Sequence, residues 1–343
     1  MKYFFQIPLY RILLMMQMQG LTLSESSVTG MFNALYSLLT PLYSRLVEMN
    51  KASNHWHVDE TGWKNFVLSE EKENFNWWLW VFASHQTVVY VLDSKRSTSV
   101  PLRHLGAEAR GIVSSDRYSS YNKLTRQAGG LVSAFCWVHF RRDFINAGKA
   151  YTFLRAWSGV WVQRIGELYH LNRLRLTVLE AKADASKEQA DLIRALGDMD
   201  RQIDMELASP ELHTLQRKIL RGARKNWRGY NVFLHHPQIP MDNNRAERML
   251  RPAALGRKNY YGSHATWSGK FAALCMSLFQ TAALHGLNVE AYMRYILDEL
   301  SLHPNASVDL ESLLPWKIPE SVVQAYSMRC REKTGKQPYI SGG

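Results

Sequence analysis

Only three cysteines occur in 343 residues, Cys136, Cys275 and Cys330, and no two are close in sequence. That excludes a CxxC zinc ribbon and a disulfide framework, and makes a reducing, cytoplasmic setting the simplest expectation. Acids are also scarce: 30 Asp and Glu stand against 42 Lys and Arg, for a net charge of +12. An excess of this size points to a polyanionic partner, nucleic acid first and a membrane surface second. No uninterrupted run of about 18 apolar residues is present, so no transmembrane helix is expected. The apolar start is broken by Gln6, Arg11, Gln17 and Gln19, and no small-residue cleavage site follows it, so it does not read as a signal peptide. There is no internal repeat and no low-complexity tract. What is plentiful is core material, 46% hydrophobic residues, enough for one large domain with an insertion or for two domains.

Residues 8–50 read as helical. Leu9, Ile12, Leu13 and Met16 recur at helical spacing, Gly20 breaks the pattern, and Ser24 or Ser26 can cap a second helix. This order fits a helix-turn-helix or a plain helical hairpin over a core. From His55 the texture becomes short runs rich in Val, Trp, Phe and Tyr, over 55–60, 75–84, 87–92, 111–115 and 131–136. Helices are expected over Ser99–Leu105, Tyr118–Gln127 and His139–Lys149. Three strands in a row, then strand and helix in alternation, predict an α/β fold with a mixed sheet and flanking helices, the order of a ribonuclease H-like core. Residues 160–225 carry no strand signal. Leu192, Leu196, Met199, Ile203 and Leu207 form one apolar stripe there, and Leu168, Leu171 and Leu174 a second. The expected organisation is an N-terminal helical region (1–52), a first part of the core (53–159), a helical insertion (160–225), a second part of the core (226–302) and an irregular tail (303–343).

Three carboxylates stand out. Asp59 lies on a predicted strand, Asp116 follows the run Gly111–Ser115, and Glu247 opens a helix in Met241-Asp242-Asn243-Asn244-Arg245-Ala246-Glu247-Arg248. Two strand-borne aspartates and one helix-borne glutamate can hold a pair of magnesium ions for phosphoryl transfer. Each also has a plainer reading. His55, His57 and Asp59 share a strand face, as ordinary strand positions or as a transition-metal site. Asp116 suits a helix N-cap. Glu247 fits a capping box with Asn244, unless Asp242 is itself the cap. Arg245, Arg248 and Arg251 recur every three residues and Arg257 and Lys258 follow, which fits either a solvated face or phosphate contacts beside a metal site. Cys136-x-x-His139-x-Arg141-Arg142 is a second cluster; it lacks the partners for zinc, and His139 and Arg142 could touch substrate or support the site.

Together these motifs resemble the insertion-sequence-66 family of DDE transposases. The resemblance rests on Asp59-Glu60-Thr61, Ser115-Asp116-x-Tyr118-x-x-Tyr121, Cys136-x-x-His139-x-Arg141-Arg142, Asp242-Asn243-Asn244-x-Ala246-Glu247-Arg248, Arg251-Pro252, Leu255–Asn259 and Leu314-Pro315-Trp316, in that order from about Pro8 to Trp316. It implies a ribonuclease H-like fold and a catalytic, metal-binding triad of Asp59, Asp116 and Glu247. The cofactor it implies is two Mg2+ ions, with Mn2+ as a substitute. DNA, as transposon ends and target, would meet Arg141, Arg142, Arg245, Arg248, Arg251, Arg257 and Lys258, with His139 and Asn244 in support. The expected setting is the cytoplasm and nucleoid, away from membranes, as a homo-oligomer on DNA with accessory proteins of the same element. Family members usually carry a longer N-terminal part with coiled-coil and zinc-binding segments. The alternative expectation is therefore a truncated, non-catalytic DNA-binding copy that acts as a regulator or remnant.

Overall fold

The computed structural model describes residues 1–67, 75–302 and 308–326; Cys330 and the rest of the expected tail lie outside them. The chain is α/β, with antiparallel and parallel strand pairs and flanking helices, consistent with the expected ribonuclease H-like mixed sheet. It divides into two compact units, Met1–Gly106 with Arg245–Gly343, and Ala107–Asn244.

In the first unit, α1 (Leu9–Met18) and α2 (Glu25–Lys51) are separated by Gly20, whose φ of 85° is one that glycine adopts readily. Ser24 caps α2 by accepting the Ser27 amide. The strands β1 (His55–Asn65), β2 (Asn76–Ala83) and β3 (Val88–Asp93) form an antiparallel meander, and α3 (Ser99–Leu105) follows. β1 runs five residues further than the sequence texture suggests. Its extension pairs in parallel with a two-residue strand that has no sequence signal, Gly262–Ser263. Edge strands expose unpaired backbone groups. Here the outer edge of β3 is satisfied by side chains: Ser277 Oγ accepts the Tyr90 amide at 2.8 Å and Thr281 Oγ1 the Val88 amide at 3.0 Å. Tyr43 of α2 donates to the Tyr90 carbonyl. Leu39, Leu42 and Leu46 of α2 and the face Phe271, Leu274 and Leu278 close the core over β3. In the segment 308–326, Leu313, Leu314, Ile318 and Val323 are buried in the same core.

In the second unit, β4 (Arg110–Ser115) and β5 (Gly130–Phe135) pair in parallel around α4 (Ser119–Gln127). Helices α5 (Trp137–Ala150), α6 (Arg155–Glu180), α7 (Ser186–Ala208), α8 (Thr214–Tyr230) and α9 (Val232–His235) complete it. Leu192, Leu196, Met199 and Ile203 face the core from α7. The stripe expected on α6 is corrected. Leu168 is buried, but a spacing of three drifts off a 3.6-residue helix, and Leu174 is exposed. The buried face runs Trp161, Ile165, Leu168, Asn172 and Arg175. Arg175 ends it as a buried cation, donating to the Phe233 and Leu234 carbonyls at 2.9 and 3.0 Å and to Gln189 at 2.8 Å. Burial lowers its pKa, and the carbonyls at the C-terminal end of α9 compensate it.

Candidate active site

The first unit carries two of the three candidate carboxylates. Asp59 sits in β1 opposite Val81, partly exposed, and its Oδ1 accepts the Glu60 amide at 2.9 Å. Strand alternation turns Glu60 the other way. Its side chain is only 2% exposed and meets Arg96 Nε at 2.7 Å. Glu60 is thus committed to an ion pair with Arg96. The rings of His55 and His57 lie 4.6 Å apart on the shared face. Burial, then the nearby Arg245 charge, pushes His55 down to about 4, so it is neutral at physiological pH. Among the described residues, His55, His57 and Asp59 do not converge as a metal-ligand group, which argues against the transition-metal reading.

Helix α10 (Asn244–Tyr260) carries Glu247 in its first turn, partly buried. The Asn244 amide is taken by Asp242 Oδ1 at 3.0 Å. Asp242 therefore does the work at the helix start that the capping-box reading gave to Glu247. The basic residues of α10 divide into two sets. Arg245 donates to the His85 carbonyl at 3.2 Å, and burial, then Arg248, lowers its pKa. Arg257 donates to the Gly62 carbonyl at 2.7 Å and to Thr61 at 3.3 Å, tying the helix to β1. Arg248, Arg251 and Lys258 are exposed. The remaining helices of this unit, α11 (Thr266–Leu284) and α12 (Val289–Leu302), supply core.

In the second unit Asp116 follows the last residue of β4, at the carboxyl end of a buried strand, where α/β sheets place ligand-binding groups. It is not the N-cap of α4, a position that Tyr118 occupies; instead Asp116 Oδ1 accepts the Tyr118 amide at 2.9 Å in a tight turn. The turn aims the residue into an open cleft of about 680 Å3 whose lining includes Arg117, His139, Arg142 and Lys218. Arg117 is held by Asp143 and lies over the Phe140 ring. Arg141 is exposed beside it on α5. The start of α5 is anchored by backbone bonds: Cys136 N to Ser115 O at 3.0 Å and Trp137 N to Met241 O at 2.9 Å. The Cys136 thiol accepts the Asn243 amide at 3.2 Å, and burial pushes its pKa up. Sequence reasoning missed Arg117 and Lys218 as cleft residues. Arg117 adjoins Asp116 in the chain and was there to be found; Lys218 lies a hundred residues away and needed the packing of α8 on α5.

Among the described residues, no single helix is long and apolar enough to cross a membrane. A family model described as "Transposase IS66 family" matches residues 1–271, and one described as "IS66 C-terminal element" matches residues 277–316. Similar curated proteins come from Sinorhizobium fredii. "Uncharacterized protein y4jD" is 26% identical over 332 residues, covering 92% of this chain and 63% of that protein. "Uncharacterized protein y4hP" is 24% identical over 335 residues, covering 90% and 59%. The chain spans about three fifths of the length of these relatives. No solved structure matches it.

Proposed function

The chain belongs to the IS66 transposase family, and from that premise we propose that it cuts and rejoins DNA as a transposase, through Asp59, Asp116 and Glu247. The observation that carries this reading is the position of Asp116, at the end of β4 and facing a cleft lined by Arg117, Arg142 and Lys218. A carboxylate among three cations on an open surface suits a phosphodiester that must be held and attacked.

All three carboxylates are partly exposed and offer hard oxygen donors, which suit Mg2+. Bound there, a pair of divalent ions would supply Lewis acidity at the phosphoryl oxygens and a lowered pKa for water. The chain's own residues position. Arg117, fixed by Asp143, and Arg142 and Lys218 hold phosphate oxygens. His139 lines the same cleft and can carry a hydrogen bond to them. In cleavage, water oxygen bonds to phosphorus, the bond from phosphorus to the 3′-oxygen breaks, and the 3′-oxygen leaves with a proton. In joining, the oxygen of that 3′-hydroxyl bonds to the phosphorus of a second phosphodiester, the bond from that phosphorus to its own 3′-oxygen breaks, and the leaving 3′-oxygen ends with the proton that the attacking hydroxyl gives up. Arg248, Arg251 and Lys258 add backbone contacts outside the chemistry. DNA ends and target, a second copy of the chain and accessory proteins are the proposed partners.

The test uses a supercoiled plasmid that carries the DNA flanking this chain's own gene. With Mg2+, the wild type should nick and join it. Asp59→Asn, Asp116→Asn and Glu247→Gln should each lose at least a hundredfold in rate while still binding DNA, since the main charge stabilisation of the transition state is gone. Binding without cleavage in the wild type would favour the non-catalytic alternative.

A further inference from the structure

Helix α8 contains Arg217, Lys218, Arg221, Arg224, Lys225 and Arg228 and no acid. The packing sorts them. Ile219, Leu220, Ala223 and Tyr230 form the buried side. Arg224 is neutralised by Asp200 and Asp204 of α7, and Arg217 donates to the Leu207 and Ser209 carbonyls. The other four, Lys218, Arg221, Lys225 and Arg228, are exposed, and none has an ion pair or hydrogen bond to the protein among the described residues. At about 100° per residue they fall within an arc of about 80°, on the side opposite the buried face.

An exposed charged face is common and usually only solvates a helix. This one differs in two ways. Like charges three and four residues apart repel, so the row works against the helix by itself. Neighbouring α7 shows the ordinary solution, mixed signs with Arg194 paired to Asp191 and Arg201 to Asp198. The row is also continuous with the cleft. Lys218 lines it together with Gly222 and Asn226, and a Cβ added at Gly222 would stand 3.3 Å from Arg117 Nη1.

We propose that Lys218, Arg221, Lys225 and Arg228 form a track for the phosphate backbone of double-stranded DNA, leading along α8 to Asp116. From Lys218 to Arg228 the helix rises about 15 Å, which spans about four phosphates of one strand at about 3.4 Å each along the duplex axis. Four cations thus face about four phosphates. The track reads no base; it sets where the duplex lies relative to the cleft, as backbone contacts do. It rests on the reading of the Asp116 cleft as a DNA site, and it adds a surface that the α10 residues do not provide.

The experiment measures binding of a fluorescent 40-base-pair duplex of random sequence at several salt concentrations, and cleavage of the flank-bearing plasmid in parallel. The fourfold variant Lys218→Ala, Arg221→Ala, Lys225→Ala, Arg228→Ala should reduce the salt slope by about 3.6, which is 4 × 0.9. The ratio of wild-type to variant affinity should then shrink about 150-fold between 50 and 200 mM salt. Each single change to Gln should remove about 0.9 of slope, which covers the case in which the fourfold variant fails to fold. A control, Lys182→Ala, Lys187→Ala, Arg194→Ala, Arg201→Ala, removes the same charge from the same unit and should leave the slope nearly unchanged. Singles that keep the wild-type slope, or a control that loses as much as the α8 variant, would overturn the track. Absent plasmid cleavage with a normal α8 effect would sink the catalytic reading and leave the track standing.

Discussion

At the scale of single residues, neighbouring acids and one buried histidine give the sharpest expectations. Asp59→Asn should abolish cleavage and leave the melting temperature within a few degrees of wild type. Glu60→Gln should do the reverse. It weakens a buried, charged hydrogen bond to Arg96, so urea unfolding should show a loss of about 1–3 kcal/mol with cleavage retained. Cleavage lost in Glu60→Gln but kept in Asp59→Asn would mean the wrong acid was chosen. His104 is buried, stacks on Phe82 at 3.9 Å and shares a 2.7 Å hydrogen bond with Asn50. Burial, then the Lys51 charge, pushes it from 6.5 down to about 3. Between those values the unfolded chain takes up a proton that the folded chain refuses. The contribution is complete above pH about 6.5 and falls as pH drops toward 3. It should amount to about 2 kcal/mol of lost stability on going from pH 7 to 5, and His104→Gln should remove that part of the difference. That Asp59 and Glu60 point opposite ways was legible, because period-two alternation dictates it, but which of them pairs inward was not. The role of Glu247 was not legible either, since Asp242 and Glu247 compete for the same helix-start amide and only the backbone path selects between them.

At the scale of elements, α8 and α6 make opposite predictions for the same substitution. Gly229 lies where α8 meets β5, and an added Cβ would stand 2.4 Å from the Phe135 ring and 2.9 Å from the Ser133 carbonyl. Gly229→Ala should therefore cost about 1–3 kcal/mol in chemical unfolding. Gly159 in α6 has nothing within 4 Å of such a Cβ, so Gly159→Ala should stabilise by about 0.5–1 kcal/mol. Equal effects at the two sites would contradict the packing of α8 on β5. The main strands and helices could be read from the chain because each buries one face at its own period. Three features could not. Gly262–Ser263 is too short to carry a period, Arg175 is a cation on a core face, and Ile318 and Val323 lack any regular spacing although they join the core. Each is decided by long-range packing.

At the scale of the whole molecule, a net charge of +12 says little until it is resolved by place. Arg257 is spent on the Gly62 carbonyl, so Arg257→Ala should lower stability by about 1.5–3 kcal/mol more than it affects DNA binding. Arg248, Arg251 and Lys258 are exposed, and changing all three to Ala should lower the salt slope of DNA binding by about 2.7, or 3 × 0.9, with no loss in melting temperature. The central claim is that the chain's carboxylates serve phosphoryl transfer on DNA, and Asp116 is its most exposed point. The direct measurement is the rate of plasmid nicking and joining by wild type and Asp116→Asn at matched DNA occupancy, with and without Mg2+. The account predicts Mg2+-dependent products from the wild type and a loss of at least a hundredfold in Asp116→Asn, with DNA affinity equal or higher. Wild-type rates from Asp116→Asn would contradict it.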